Sequence, residues 1–282
     1  MNAKTSVTLL AENTARGRGI LGEHGLAYWI TTPEGQLLFD TGQGHVLRRN
    51  AETLGIELAE AEAIVLSHGH YDHVGGLEAE LERSPEAVVY LHPAAMQERF
   101  IGVCGGGTQA VNEAFLYTGR LERGTAHLVT STEPREVLPG IWATGEIPRV
   151  TAYEDTGGAF YLDAAGTETD PILDDQSLYF RGKDGIVLIL GCAHAGVVNT
   201  MRYVAELAGG EPLSAVIGGM HLLHAGQERL EKTWAVFEEM KVGLIAPCHC
   251  TGIRAVGGFW NRFPDRCHEA HAGKTFTFAL KT

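Results

Sequence analysis

The chain has no CxxC pair. Its five cysteines (Cys104, Cys192, Cys248, Cys250 and Cys267) are odd in number and irregularly spaced. That argues against both a disulfide framework and a zinc ribbon, and leaves reduced thiols as the expectation. Positive charge is also scarce: 22 Lys and Arg stand against 35 Asp and Glu, a formal net charge of -13, and the basic residues are scattered. No phosphate-backbone binding face is indicated, so nucleic acid is not an expected partner. No apolar run reaches the roughly 18 residues of a membrane span. The start "MNAKTSVTLLAENT" lacks an apolar core followed by a small-residue cleavage site, so a cytoplasmic protein without a membrane partner is expected. Segments of low hydrophobicity and high charge are missing too; with 44% hydrophobic and 20% charged residues the chain should fold unaided.

What is present is a recurring grammar. Short β-rich segments near 6–13, 26–32 and 36–40, the last two joined by the turn "TPEG", read as a meander. A helical pattern follows from about 44 to 58, then "AEAIVLS" reads as a buried strand and "VGGLEAELER" as a helix. The second half repeats this order with "GIVLILGCAHAG", "VVNTMRYVAELA", "LSAVIGGMHLL", "QERLEKTWAVFEEM" and "VGLIAPCHCTG". Four apolar strands therefore end in histidines, and loops at the carboxyl ends of buried strands are where α/β proteins hold their chemistry. A glycine-rich stretch around 101–135, without clear periodicity, reads as an insertion or lid in what is otherwise one domain spanning 1–282.

The sharpest signal is "SHGHYDHVGGL", which packs three histidines and an aspartate into positions 68–73 behind an apolar strand. Imidazole and carboxylate are preferred ligands of zinc, iron and manganese. A tight loop can aim His68 and His70 at one ion, while Asp72 and His73, a step further round the turn, begin a second site. The competing reading is a polar helix start in which Asp72 is an N-cap and the histidines are solvated.

The order His68, His70, Asp72, His73 matches an HxHxDH signature, and "FDTG" at 39–42 matches an upstream aspartate motif. Through these residues nearly the whole chain resembles the metallo-β-lactamase superfamily. The resemblance implies an α/β fold, specifically a four-layer αββα sandwich of two pseudo-symmetric halves. It also implies a dinuclear centre holding two divalent ions at one edge, zinc foremost, with manganese or iron as alternatives. The segments "TGEIPR", "DPILDDQSLYF", "GCAHAGVVNT", "GGMHL" and "CHCTG" are similar to one branch, the dihydropterin-ribofuranosylaminobenzene-phosphate synthase-like proteins.

Departures from the family pattern define the remaining candidates. Glu146 stands where many members carry a histidine; it is open to a metal or catalytic role, to holding a ligand histidine, or to an ion pair with Arg149. Cys192 stands at the place of a bridging aspartate, as a ligand or as a small buried hydrophobe. His194 is the preferred replacement ligand, and His249 matches the family's final ligand. His221 is divided between contact with substrate or with a ligand residue and structural packing. Asp40 is expected to orient a ligand histidine. Asp174 and Asp175 are carried by the branch motif alone. His92, His127, His224, His268 and His271 have no comparable context.

Two divalent ions sharing a water would bring its pKa toward neutrality and supply a hydroxide nucleophile, with Asp72, Glu146 and His221 as the catalytic candidates. The expected function is a metal-dependent hydrolase or related synthase acting on a small, phosphorylated or pterin-like molecule. Two alternatives remain: an iron-dependent redox enzyme of the same fold, although no flavin or ferredoxin module is visible in the chain, and a non-catalytic metal-containing ligand-binding protein.

Overall fold

Alternating apolar positions in the first 40 residues require a face to bury, and in the computed structural model, which describes residues 3–112 and 127–281, they find it in a meander. Strands β1 (Lys4–Ala11), β2 (Ala27–Thr32) and β3 (Gly35–Phe39) pair antiparallel. Chain direction then changes. β3 pairs in parallel with β4 (Ala63–Val65), which pairs in parallel with β5 (Val88–Leu91). The connections carry α1 (Leu47–Leu54), the short α2 (Tyr71–Val74) and α3 (Leu77–Arg83).

Two more short strands follow, β6 (Phe100–Gly102) and β7 (Thr108–Ala110), before β8 (His127–Thr130) pairs with β5. The second sheet begins with β9 (Arg135–Leu138) and β10 (Ile141–Ala143); β11 (Phe160–Tyr161) pairs with β6. It continues through β12 (Leu178–Gly182), β13 (Gly185–Leu190), α4 (Val197–Leu207), β14 (Leu213–Gly219), α5 (Gln227–Glu239), β15 (Leu244–Cys248) and α6 (Ile253–Arg262). The last strand, β16 (Thr275–Ala279), returns to the edge of the first sheet beside β1. The sheet orders are β16-β1-β2-β3-β4-β5-β8 and β15-β14-β13-β12-β10-β9, with a small third sheet β11-β6-β7.

Side-chain alternation assigns the layers. In β13, buried along its whole length, Val187 and Ile189 join Val7, Tyr28 and Phe39 between the two sheets. Its alternate residues Ile186, Leu188 and Leu190 pack with Val197, Met201, Phe237 and Phe259 beneath α4, α5 and α6. On the other side Leu10, Trp29, Leu38 and Ile64 meet Leu47, Leu77 and Leu81 of α1 and α3. Helix, sheet, sheet, helix is the resulting αββα sandwich, three apolar interfaces thick. A strand covered on both faces must read as a continuous apolar run, which is why "GIVLIL" shows no polar alternation. Among the described residues no helix is long and apolar enough to cross a membrane.

The expected insertion over 101–135 divides in three. β6 and β7 form a hairpin around the glycines 105–107, residues 113–126 lie outside the described residues, and 127–130 are already a strand of the first sheet.

At one edge the ends of β3, β4 and β13 come together. A Cβ on Gly191 would sit 2.3 Å from Ser67 Oγ and 3.4 Å from Asp40 Oδ2, so the absence of a side chain there lets the two halves approach.

Candidate metal centre

The loop after β4 is held before it presents a single ligand. Gln176 N donates to Ser67 O at 2.9 Å, and Gln176 Nε2 to Leu66 O at 2.8 Å. Asp174 Oδ2 accepts from Gly69 N at 2.8 Å, while Asp174 Oδ1 pairs with Nη1 of Arg99, a guanidinium buried to 1% exposure. Asp175 does the same for the other half: its Oδ2 accepts from Ala195 N at 2.8 Å, beside His194. Burial pushes the Asp175 carboxyl up to about 6 against the backbone donors that oppose it. The two adjacent aspartates therefore brace one loop of each half.

Asp40, at the end of β3 with φ 60, accepts from Ser67 N, Ser67 Oγ and His73 Nδ1, each at 2.7 Å. Because a carboxylate only accepts, Ser67 spends its one hydroxyl proton on Asp40. His68 Nδ1, 2.9 Å from Ser67 Oγ, must then be the donor at that contact. This leaves His68 Nε2 with a free lone pair and turns His73 Nε2 toward the same centre. His194 Nδ1 donates to Thr156 O at 2.8 Å, and His249 Nδ1 lies 2.8 Å from Asn13 Oδ1, so these rings also present Nε2. Glu12 Oε1 receives His249 N at 2.7 Å. Ala193, His221 and His249 have φ of 56°, 45° and 51°, a sparsely allowed region for non-glycine residues, so backbone strain gathers on these loops.

The ring nitrogens converge in two groups. His68 Nε2 is 3.0 Å from His70 Nδ1, and His68, Cys192 and His194 place ligand atoms within 4.8 Å of one another. His73 Nε2 is 3.2 Å from His249 Nε2, and Asp72 Oδ2 lies 3.4 Å from His249 Nε2 and 3.8 Å from His73 Nε2. Cys192 Sγ, 3.1 Å from His73 Nε2, belongs to both groups. His194 Nε2 and His70 Nε2 are buried without a hydrogen-bond partner. Two buried imidazole nitrogens without a partner, among further imidazole, carboxylate and thiol groups that are metal ligands by chemistry, make a donor set that fits divalent metal ions.

Electrostatics agree with the geometry. Burial holds His68 and His194 well below the usual imidazole range and His70 down to about 3, so these rings are neutral bases. His73 is different: burial opposes its charge, but Asp72 and Asp40 raise it to about 9. Burial would raise the Asp72 carboxyl, yet the neighbouring His73 and His249 hold it below the usual carboxylate range.

The centre opens into a cavity of about 950 Å³ walled by Tyr71, Ile101, Val111, Phe160, Leu223 and Ile253. Among the described residues lining it there is no lysine or arginine.

The structure thus brings His68, His70, Asp72, His73, Cys192, His194 and His249 together. His221 lies at their margin, its ring 4.1 Å from that of His194. Glu146, for which a metal or catalytic role was one of the expectations, is not brought to them: it is absent from the clustered donors and from the cavity lining. Gly145 packs against the Thr132–Glu133 backbone and Glu146 N donates to Thr132 O, which turns the side chain outward, 45% exposed, toward His92 at 3.8 Å. An ion pair with Arg149 is not formed either; Arg149 donates to the carbonyls of His194, Pro171 and Ile172. Two histidines left without a role are better placed than expected: His224 lines the cavity and His92 is buried.

Sequence reasoning missed His24, whose Nε2 lies 3.3 Å from Asp72 Oδ2, because it sits in a loop before β2 rather than at the end of a parallel strand. It also missed Glu12 and Asn13, although two polar residues directly after the apolar "VTLLA" were a readable signal. Arg99 carried none.

A four-layer sandwich that gathers histidine, aspartate and cysteine donors at the edge where two half-sheets meet defines a class of metal-site proteins. Residues 21–249 match the sequence model of the metallo-beta-lactamase superfamily, and the chain belongs to that family. It is 28% identical over 274 residues to 7,8-dihydropterin-6-methyl-4-(beta-D-ribofuranosyl)-aminobenzene-5'-phosphate synthase of Methanocaldococcus jannaschii, covering 91% of this chain and 90% of the relative. An uncharacterized protein of the same organism is 28% identical over 251 residues, 89% of this chain and 92% of the other. Among solved structures, Tm1679, a metal-dependent hydrolase of the beta-lactamase superfamily, superposes with a TM-score of 0.80 at 28% identity, covering 96% of this chain and 98% of that one. PqqB of Methylobacterium extorquens, at 15% identity and TM-score 0.59 over 96% and 99% of the two chains, shares the fold.

Proposed function

We propose that the protein is a metal-dependent hydrolase, or a synthase of related chemistry, with a dinuclear centre acting on a small phosphorylated or pterin-like molecule. The observation that carries this reading is the convergence of buried imidazole, carboxylate and thiol groups on two adjacent points. His68, His70 and His194 would hold one ion and Asp72, His73 and His249 the other, with Cys192 between them. Divalent ions so held, with zinc as the first expectation, would supply a water acidic enough to attack at neutral pH and an electrophilic contact for the oxygen under attack.

The chain's own residues do the rest. Asp40 keeps a proton on His73 Nδ1 and Ser67 keeps one on His68 Nδ1, so both rings present Nε2 inward. Phe160 and Tyr71 offer flat apolar walls suited to a heteroaromatic ring, and the synthase relative supports the pterin class. With no lysine or arginine among the described lining residues, a phosphate would have to find its positive charge at the metal pair and histidines.

Elemental analysis, followed by turnover of an aryl phosphodiester and consumption of a 7,8-dihydropterin before and after chelation and refilling with zinc, manganese or iron, tests the reading. Two equivalents of metal with activity that disappears on chelation and in a folded His70→Ala protein are expected. Activity unaffected by chelation would end the dinuclear reading.

A further inference from the structure

Cys250 and His221 belong to neither donor group above, yet both line the cavity beside Cys192. Ligand atoms of Cys192, His221 and Cys250 lie within 4.8 Å of one another, close enough to be first neighbours of a single ion. The backbone clears space for them. A Cβ on Gly219 would lie 2.7 Å from Cys250 Sγ, and one on Gly157, whose φ is +80°, would lie 1.8 Å from His221 Cδ2 and 2.5 Å from its Nε2. With that ring edge against Gly157, His221 Nδ1 is buried and has no hydrogen-bond partner. An imidazole nitrogen buried in that way costs free energy unless something binds it. His221 is also one of the residues held at positive φ, so the chain accepts strain to keep the ring here.

We propose that Cys192, His221 and Cys250 form a third cation position, of thiolate and imidazole character, for zinc or another thiophilic divalent ion. Two sulfurs and one imidazole facing a cavity make the Cys₂His donor set of zinc sites that keep a fourth position for water or substrate. The softness of sulfur sets it apart from the histidine and aspartate groups next to it. Cys192 is shared: its sulfur, 3.1 Å from His73 Nε2, joins this position to the proposed metal pair. His221 is then a ligand, a role outside the contact and packing alternatives that the sequence offered.

Metal-free full-length protein, kept reduced with a phosphine, is titrated with cobalt(II) while bound equivalents and the near-ultraviolet thiolate-to-cobalt absorption are followed. Cys250→Ser and His221→Ala are each expected to bind one equivalent fewer than wild type, and Cys250→Ser to lose about half of the sulfur absorption. His70→Ala is expected to lose a different equivalent and to keep the Cys250-dependent absorption. Cys250→Ser protein that binds as much cobalt as wild type, with unchanged absorption, overturns the proposal. A His70→Ala protein that binds as much as wild type counts against the dinuclear reading alone. Alkylation of wild-type protein by iodoacetamide, mapped by mass spectrometry, needs no variant. Cobalt is expected to slow modification of Cys250 at least tenfold, and equal rates with and without cobalt also overturn the proposal.

Discussion

Replacing Asp174 by asparagine and by alanine separates two tasks of one side chain. Its Oδ1 pairs with Arg99 Nη1 at 2.5 Å, and its Oδ2 accepts from Gly69 N between His68 and His70, the proposed ligands. Arg99 has a second carboxylate at 3.5 Å, Asp170, and donates to Ala94 O, but its head group is fully enclosed. Asparagine keeps an acceptor for Gly69 and removes the charge opposite Arg99. Breaking a buried ion pair from one side costs about 3–5 kcal/mol, because the remaining charge loses its partner without regaining water. At about 2–4 °C per kcal/mol for a domain approaching this size, Asp174→Asn should melt roughly 10 °C below wild type and still bind its metals. Alanine also strands Gly69 N, adding about 1–3 kcal/mol. It should weaken metal binding about 10–100-fold, as loss of a ligand-orienting contact does. Thermal unfolding and competition against a chelator read the two effects independently. If Asp174→Ala melts within 2 °C of wild type and holds metal equally well, the bracing role assigned to Asp174 is wrong.

Asp40→Asn keeps only one accepting oxygen, so if that oxygen serves His73 Nδ1 and Ser67 Oγ as Oδ2 does, an NH2 group faces the Ser67 N–H that Oδ1 accepts; chelator competition should show metal affinity reduced about 10–100-fold, and unchanged affinity would remove Asp40 from the centre. Gly157→Ala places a Cβ 1.8 Å from His221 Cδ2 at a positive φ. It should cost about 1–3 kcal/mol in denaturant unfolding and displace the His221 ring, visible by NMR. In metal-free protein His70 has a pKa near 3 against 6.5 when unfolded, with His68 and His194 shifted the same way. Between these values the unfolded chain binds more protons, so stability should fall as pH drops from about 6.5 toward 3. His73 is charged in the folded state throughout that window and adds little slope there, while Asp175, raised to about 6 from 3.8, takes up its proton first in the folded state and offsets part of the fall contributed by the three histidines. Urea unfolding at several pH values checks the sign, and a flat profile would contradict neutral burial of these rings.

Much of the architecture was legible because strand burial writes itself into composition. "GIVLIL" and "AIVL" are apolar on consecutive positions because both faces are covered, and the histidines that follow them mark where the covering stops. Residues 68–73 carry four ligand-type side chains in one loop, so half of the centre is local in sequence. Glu146 was misread because motif position assigns an equivalent place but not a side-chain direction, and a turn pinned to Thr132 sent it outward. His24 and Arg99 were silent because each acts on a residue distant along the chain, with no periodicity or spacing linking the partners.

By itself the sequence determined the alternating strand and helix order and the position of the histidine-bearing loops at strand ends, since both are set by patterns within a dozen residues. Only the tertiary structure decided which nitrogen each histidine presents, that Cys192 lies between two donor groups, and that Asp174 and Asp175 each brace a different half. Those outcomes depend on distances across the interface between two sheets, where Gly191 lets Asp40 and Ser67 of one half meet the β13 loop of the other.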